Sequence, residues 1–180
     1  MHRFNPGAAA LLIIDIQDRL AAQMQPPTLE RVLNRTLAAI EGAKALGMPI
    51  VVTEQYPKGL GPTLKVLSDK IPDFKPIEKI EFSAFVPEAK ARLQGRSTVL
   101  LTGMETHICV FQTTRAMVEA NLTPYVAVDA VTSRADADER VGFELCRNAG
   151  GLLTTVETVL FDALGKAGGP AFKAISAAVK

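Results

Sequence analysis

Six short apolar runs recur along the chain, separated by segments of helical spacing or loop composition, and this alternation constrains the fold more than any other feature. AALLIID (9–15) is a buried strand that ends on a carboxylate. After the prolines at 26 and 27, Leu29, Leu33, Leu37 and Ile40 fall at helical spacing, and Gly47 and Pro49 give a stop. PIVVTE (49–54) is a second strand, and QYPKGLGPT (55–63) is a loop without periodicity. LKVLSDK gives a helical turn or two, KPIEKIEFSAF holds a third strand, and PEAKARLQG starts a short helix at its proline. STVLLTG (97–103) is the fourth strand, and a helix from about Thr106 to Ala120 follows. PYVAVDA (124–130) is the fifth, with a helix from about Asp136 to Ala149 behind it; GLLTT (151–155) is the sixth, and the tail PAFKAISAAVK is helical.

Continuous apolar strands alternating with helices predict an α/β fold: a three-layer, doubly wound, mainly parallel six-stranded sheet with helices on both faces. With 180 residues, no internal repeat and no linker, residues 1–180 form one domain. Charge is nearly balanced, 20 basic against 19 acidic residues, so nothing suggests a nucleic-acid partner. Asp15 interrupts the N-terminal apolar run before it could span a bilayer, and only His2 and Arg3 could serve as a signal-peptide n-region. The expectation is a cytoplasmic protein with both cysteines as free thiols and no membrane partner. His2 and His107 are too few and too isolated for a histidine-based metal site.

In open sheets of this kind ligands bind beyond the carboxyl ends of the strands. Those ends carry Asp15, Glu54, Lys79, the GMETHIC segment and Asp129. With Thr106 as N-cap, Cys109 lies in the first turn of its helix, where unpaired amides and the helix dipole favour thiolate and can hold an oxyanion. Taken singly, a cysteine in such a helix is most often core, Asp15 is as readily a loop tether, and Lys79 is mostly a solvated surface group. Together they make a thiol, a carboxylate to take its proton and an ammonium to hold both.

The segments LLIIDIQDRL, EKIEFSAF and LLTGMETHICVFQT resemble the three signature regions of the isochorismatase-like cysteine hydrolases, in order and over nearly the whole chain. Gly103, Thr106, Cys109 and Val110 meet the Gly-x-x-Thr-x-x-Cys-Val pattern of that superfamily. The resemblance implies a triad of Asp15, Lys79 and Cys109, a cis peptide between Met104 and Glu105, and an oxyanion hole of the Glu105 and Cys109 amides. It also implies a homo-oligomer, a dimer, tetramer or octamer. The histidines with which nicotinamidases bind metal are absent from TEQYPKGLGPT, so no metal and no cofactor is expected. The text is most similar to the isochorismatase domain-containing branch, which leaves the substrate open.

The resulting expectation is a metal-independent hydrolase that cleaves a C–N bond of a small amide, ureide or carbamoyl compound through a Cys109 thioester. A non-catalytic assembly protein that keeps the fold, isochorismatase-type ether hydrolysis and a redox thiol remain as alternatives. Leu20, Glu54, Gln55, Tyr56, Phe82 and Ile108 are expected to line the pocket. His107 is expected at the substrate rim or a subunit contact, and Asp129 to brace the next loop or Arg134. Gln17 is expected to hold its loop, and Cys146 to be core. The helix with Gln112, Thr113, Arg115 and Met117, together with the tail, is expected to serve assembly.

Overall fold

The computed structural model describes residues 3–180, so His2 lies outside it. Six strands form one sheet: β1 (Ala9–Ile14), β2 (Ile50–Gln55), β3 (Ile77–Lys79), β4 (Thr98–Met104), β5 (Thr123–Thr132) and β6 (Leu152–Thr154). Their order is β3-β2-β1-β4-β5-β6 and every pairing is parallel. The helices are α1 (Asp18–Ala21), α2 (Pro26–Leu46), α3 (Pro57–Leu60), α4 (Lys65–Ser68), α5 (Pro87–Arg92), α6 (Phe111–Glu119), α7 (Asp136–Asn148), α8 (Val156–Leu164) and α9 (Gly169–Ala178).

All six residues of β1 are buried because both faces of the sheet are covered. Ala9, Leu11 and Ile13 pack with α2, α8 and α9, while Ala10, Leu12 and Ile14 pack with α5, α6 and α7. Each large apolar side chain so buried contributes about 1.5–3 kcal/mol, which sets the register of this central strand. The amphipathic α2 starts at two prolines and ends at Gly47, whose φ of 67° allows the left-handed cap.

The structure narrows one reading of the sequence, fills a gap in another and corrects a third. The third strand is only three residues long and sits at the sheet edge, the rest of KPIEKIEFSAF being loop. The apolar segment VETVLFDAL forms α8, which the sequence left unassigned; Thr155 caps it by accepting from the Thr158 amide. The residues between β4 and α6 do not start an α-helix at Thr106. Thr106–Val110 is a π-helical turn with Glu105 before it, and the α-helix begins at Phe111.

Candidate active site

The sheet order reverses between β1 and β4, the two strands at which the chain winds outward in opposite directions. Loops leaving the carboxyl ends of such strands diverge and open a crevice. Four neighbouring strands feed it: Lys79 ends β3, Thr53 lies on β2, Asp15 follows β1 and Cys109 follows β4. Close approach of β1 and β4 depends on Gly103, because a Cβ there would lie 2.0 Å from the Ile14 carbonyl oxygen and its φ is 126°.

Asp15 turns the chain with a φ of 52° and is fully buried. Its amide donates to the Thr53 carbonyl at 3.2 Å, and its own carbonyl accepts from the Gln17 amide at 2.9 Å. The carboxylate is divided between partners: Oδ1 accepts from the Thr53 hydroxyl at 2.7 Å and Oδ2 from the Lys79 ammonium at 2.6 Å. Lys79 spends its other two protons on the carbonyls of Glu81 and Phe82, at 3.0 and 3.3 Å. Every donor of the ammonium is therefore used and its position is fixed. The Cys109 thiol lies close enough to Asp15 for the carboxylate to push its pKa up, while the Glu105 amide acts on the sulfur in the opposite sense.

The π-helical turn shapes the nucleophile's surroundings. The Glu105 carbonyl accepts from the Ile108 and Val110 amides, passing over Cys109, the donor that an α-helix would give it. The Met104–Glu105 peptide is cis. Thr113 ties this turn to the loop after β3: its hydroxyl donates to the Cys109 carbonyl at 2.6 Å and accepts from the Ala84 amide at 2.7 Å. Thr113 and Met117 are fully buried, so they do not belong to an assembly surface.

Electrostatics correct one sequence expectation. Burial raises the Asp15 carboxyl above its ordinary 3.8, against the opposing pull of Lys79, Thr53 and Cys109. Burial, and then the negative charge of Asp15, push the Cys109 thiol from 9.0 up to about 12, although Lys79 and the Glu105 amide act the other way. The helix-terminus reading predicted a lowered thiol. It fails because the sulfur is buried and faces a carboxylate whose countercharge is already engaged. The surroundings thus favour the thiol over the thiolate and place a carboxylate beside it.

The expected pocket residues divide. Gln55 donates to the Ile80 carbonyl at 3.3 Å, and Tyr56 and Phe82 are about half exposed. Ile108 is partly buried against the α5–α7 core. Glu54 is not a pocket group: one of its oxygens accepts from both the amide and the hydroxyl of Thr63, each at 2.7 Å. Leu20 packs on the α2-side core instead. Gln17 holds its loop, donating to the Gln55 and Gly61 carbonyls and accepting from the Gln55 amide. His107 meets its own chain, with Nδ1 2.9 Å from the Ser133 hydroxyl and Nε2 4.0 Å from Asp138. Asp129 braces α8 by accepting from the Val156 amide and faces Arg35 at 3.6 Å; it does not meet Arg134. Cys146 is fully buried.

Two contacts escaped the sequence reading. Thr53 was legible only from strand register, which brings the ends of β1 and β2 together. Arg134 donates to the buried Glu105 carboxylate from both its amide and its Nε, at 3.1 and 2.9 Å; no local pattern links these two positions. Among the described residues no three His, Cys, Asp or Glu side chains converge as a metal-ligand group. No helix among them is long and apolar enough to cross a membrane.

The isochorismatase domain profile matches residues 9–158. Isochorismatase domain-containing protein 2 of Bos taurus is 36% identical over 181 residues, covering 99% of this chain and 86% of that protein. A secreted isochorismatase effector of Phytophthora sojae is 35% identical over 186 residues, covering 99% and 87%. The structure of MAR1 ribonuclease from Caenorhabditis elegans superposes with a TM-score of 0.93 at 35% identity, covering 99% of this chain and 92% of that one. A parallel sheet in this order, matched along nearly its whole length by such relatives, is the isochorismatase-family hydrolase fold, and the chain belongs to the isochorismatase family.

Proposed function

We propose that the protein is a metal-independent cysteine hydrolase that cleaves a C–N bond of a small amide, ureide or carbamoyl compound. The observation that carries this reading is the buried Asp15–Lys79 pair at 2.6 Å, set beside the buried Cys109 at the carboxyl ends of β1, β3 and β4. Asp15 takes the thiol proton as sulfur attacks the acyl carbon, so negative charge leaves Asp15 as it develops on the substrate oxygen. The Glu105 and Cys109 amides receive that oxygen. The tetrahedral intermediate expels ammonia or an amine carrying the proton from Asp15. Water then attacks the thioester, with Asp15 again as base. Lys79 keeps Asp15 oriented and opposes the burial that disfavours its charge.

A reducing compartment, the cytoplasm, suits a mechanism that needs a free thiol, and both cysteines are free. Assembly with further copies of the chain belongs to the same reading: Tyr56 and Ile80 line one surface cleft beside edge strand β3, with Ile80 77% exposed.

The test is a panel of small amides, ureides and carbamoyl compounds, with RNA included because a similar structure is that of a ribonuclease. Ammonia or amine release and the intact protein mass after rapid quenching are measured. Release with an acyl adduct on Cys109 is expected. Cys109→Ala should abolish both, and Asp15→Asn should slow release about 100- to 10,000-fold. RNA cleavage that survives Cys109→Ala, or no adduct from any compound, would sink the proposal and leave a scaffold or a different chemistry.

A further inference from the structure

The loop from β5 to α7 grips the nucleophile turn at two points. Arg134 holds the Glu105 carboxylate, whose side chain is only 6% exposed, through two hydrogen bonds to the same oxygen. The neighbouring Ser133 meets His107, inside the turn, at 2.9 Å. The loop is itself anchored, since one Glu139 oxygen accepts from the Thr132 hydroxyl at 2.6 Å and from the Ser133 amide at 3.1 Å. Arg31 of α2 faces the other Glu139 oxygen at 3.7 Å. A continuous set of contacts thus runs from α2 through Glu139 and the loop to Glu105.

We infer that Arg134 is a positioning residue: by holding the Glu105 side chain it fixes the Glu105 backbone N–H beside the Cys109 sulfur, where the acyl oxygen becomes negative. The inference rests on the proposed acyl chemistry. Glu105 is held at two places, its carbonyl by the Ile108 and Val110 amides and its carboxylate by Arg134, so the amide between them has less room to move than with either hold alone. Arg134 works through Glu105 and need not touch the substrate.

Two probes that differ in one respect separate positioning from general damage. With p-nitrophenyl acetate, sulfur bonds to the acyl carbon, the carbonyl electron pair moves to oxygen, and the thiol proton passes to Asp15. The intermediate then collapses to the thioester as p-nitrophenolate leaves. With iodoacetamide, sulfur displaces iodide at a saturated carbon and no oxyanion forms. Both rates are read at Cys109, with Cys146 as the buried internal reference and Cys109→Ala subtracting background.

Arg134→Ala should slow acylation about ten- to a hundredfold and leave alkylation unchanged. Arg134→Lys should recover part of the loss. Glu105→Gln, which keeps an acceptor but loses the charge, should fall in the same direction by less, and it reads the same contact if Arg134→Ala does not fold. Equal loss with both probes, or unaltered acylation, would overturn the role given to Arg134 while leaving the proposed function standing. A wild-type Cys109 that acylates no faster than Cys146 would overturn the proposed function itself, and this inference with it.

Discussion

Asp15 and Cys109 act on each other's charge, and their surroundings decide on which of them it rests. Burial disfavours charge on either group, but only Asp15 has an ammonium and a hydroxyl as direct partners, so the resting charge belongs there. A thiol pushed up to about 12 supplies almost no thiolate at neutral pH, which makes base-assisted attack the productive route. The acylation rate with p-nitrophenyl acetate should therefore rise with pH while Asp15 loses its proton, at a pH above its ordinary 3.8, and then level off. A nucleophile limited by its own ionisation would instead climb about tenfold per pH unit without levelling until the thiol's own value of about 12. A pH-rate profile of wild type with the Cys109→Ala background subtracted separates the two, and a climb that never levels off short of the thiol's own range would remove Asp15 as the base.

Three elements converge on the nucleophile: β4 delivers the π-helical turn, α6 continues from it, and α7 packs over it. The contact with α7 is made at Gly142, where an added Cβ would come within 2.7 Å of the His107 nitrogen and 2.8 Å of the Thr106 carbonyl carbon. In an exposed helix, alanine for glycine would stabilise by about 0.5–1 kcal/mol. Here both close atoms belong to backbone, so the turn or the helix must move. Gly142→Ala should therefore destabilise the fold by about 1–3 kcal/mol in urea unfolding and slow Cys109 acylation by at least about tenfold. A stabilised, fully reactive variant would show that the turn tolerates displacement.

Taken whole, the molecule buries both of its thiols, one on each side of the contact between α6 and α7, and that couples stability to alkaline pH. Burial pushes Cys146 from 9.0 up to about 11, as it does Cys109 from 9.0 up to about 12. The folded state then holds both protons at a pH where the unfolded chain has released them. Stability from this source is complete below 9.0 and is lost as pH rises towards the folded values. Each thiol contributes a slope of about 1.4 kcal/mol per pH unit. Urea unfolding followed between pH 9 and pH 11 should show that Cys146→Ala, whatever its constant cavity cost, declines more gently than wild type by about that slope. Identical slopes would mean that the thiols do not govern the alkaline limit.

The amino-acid sequence by itself determined the fold class and the chemical identities at the strand ends. Apolar runs and helical spacing are local and need no knowledge of partners. It also marked Asp15, Lys79 and Cys109, since strand ends in an open sheet meet at one edge. It missed α8, whose periodicity over nine residues is masked by an apolar segment that continues from β6. Only the tertiary structure decided the protonation of Cys109, the hydroxyl of Thr53 on Asp15, the withdrawal of Glu54 to Thr63 and the grip of Arg134 on Glu105. All four depend on burial and on contacts between residues far apart in sequence. Desolvation and hydrogen bonding are set by what surrounds a group in space, and a linear pattern does not carry that.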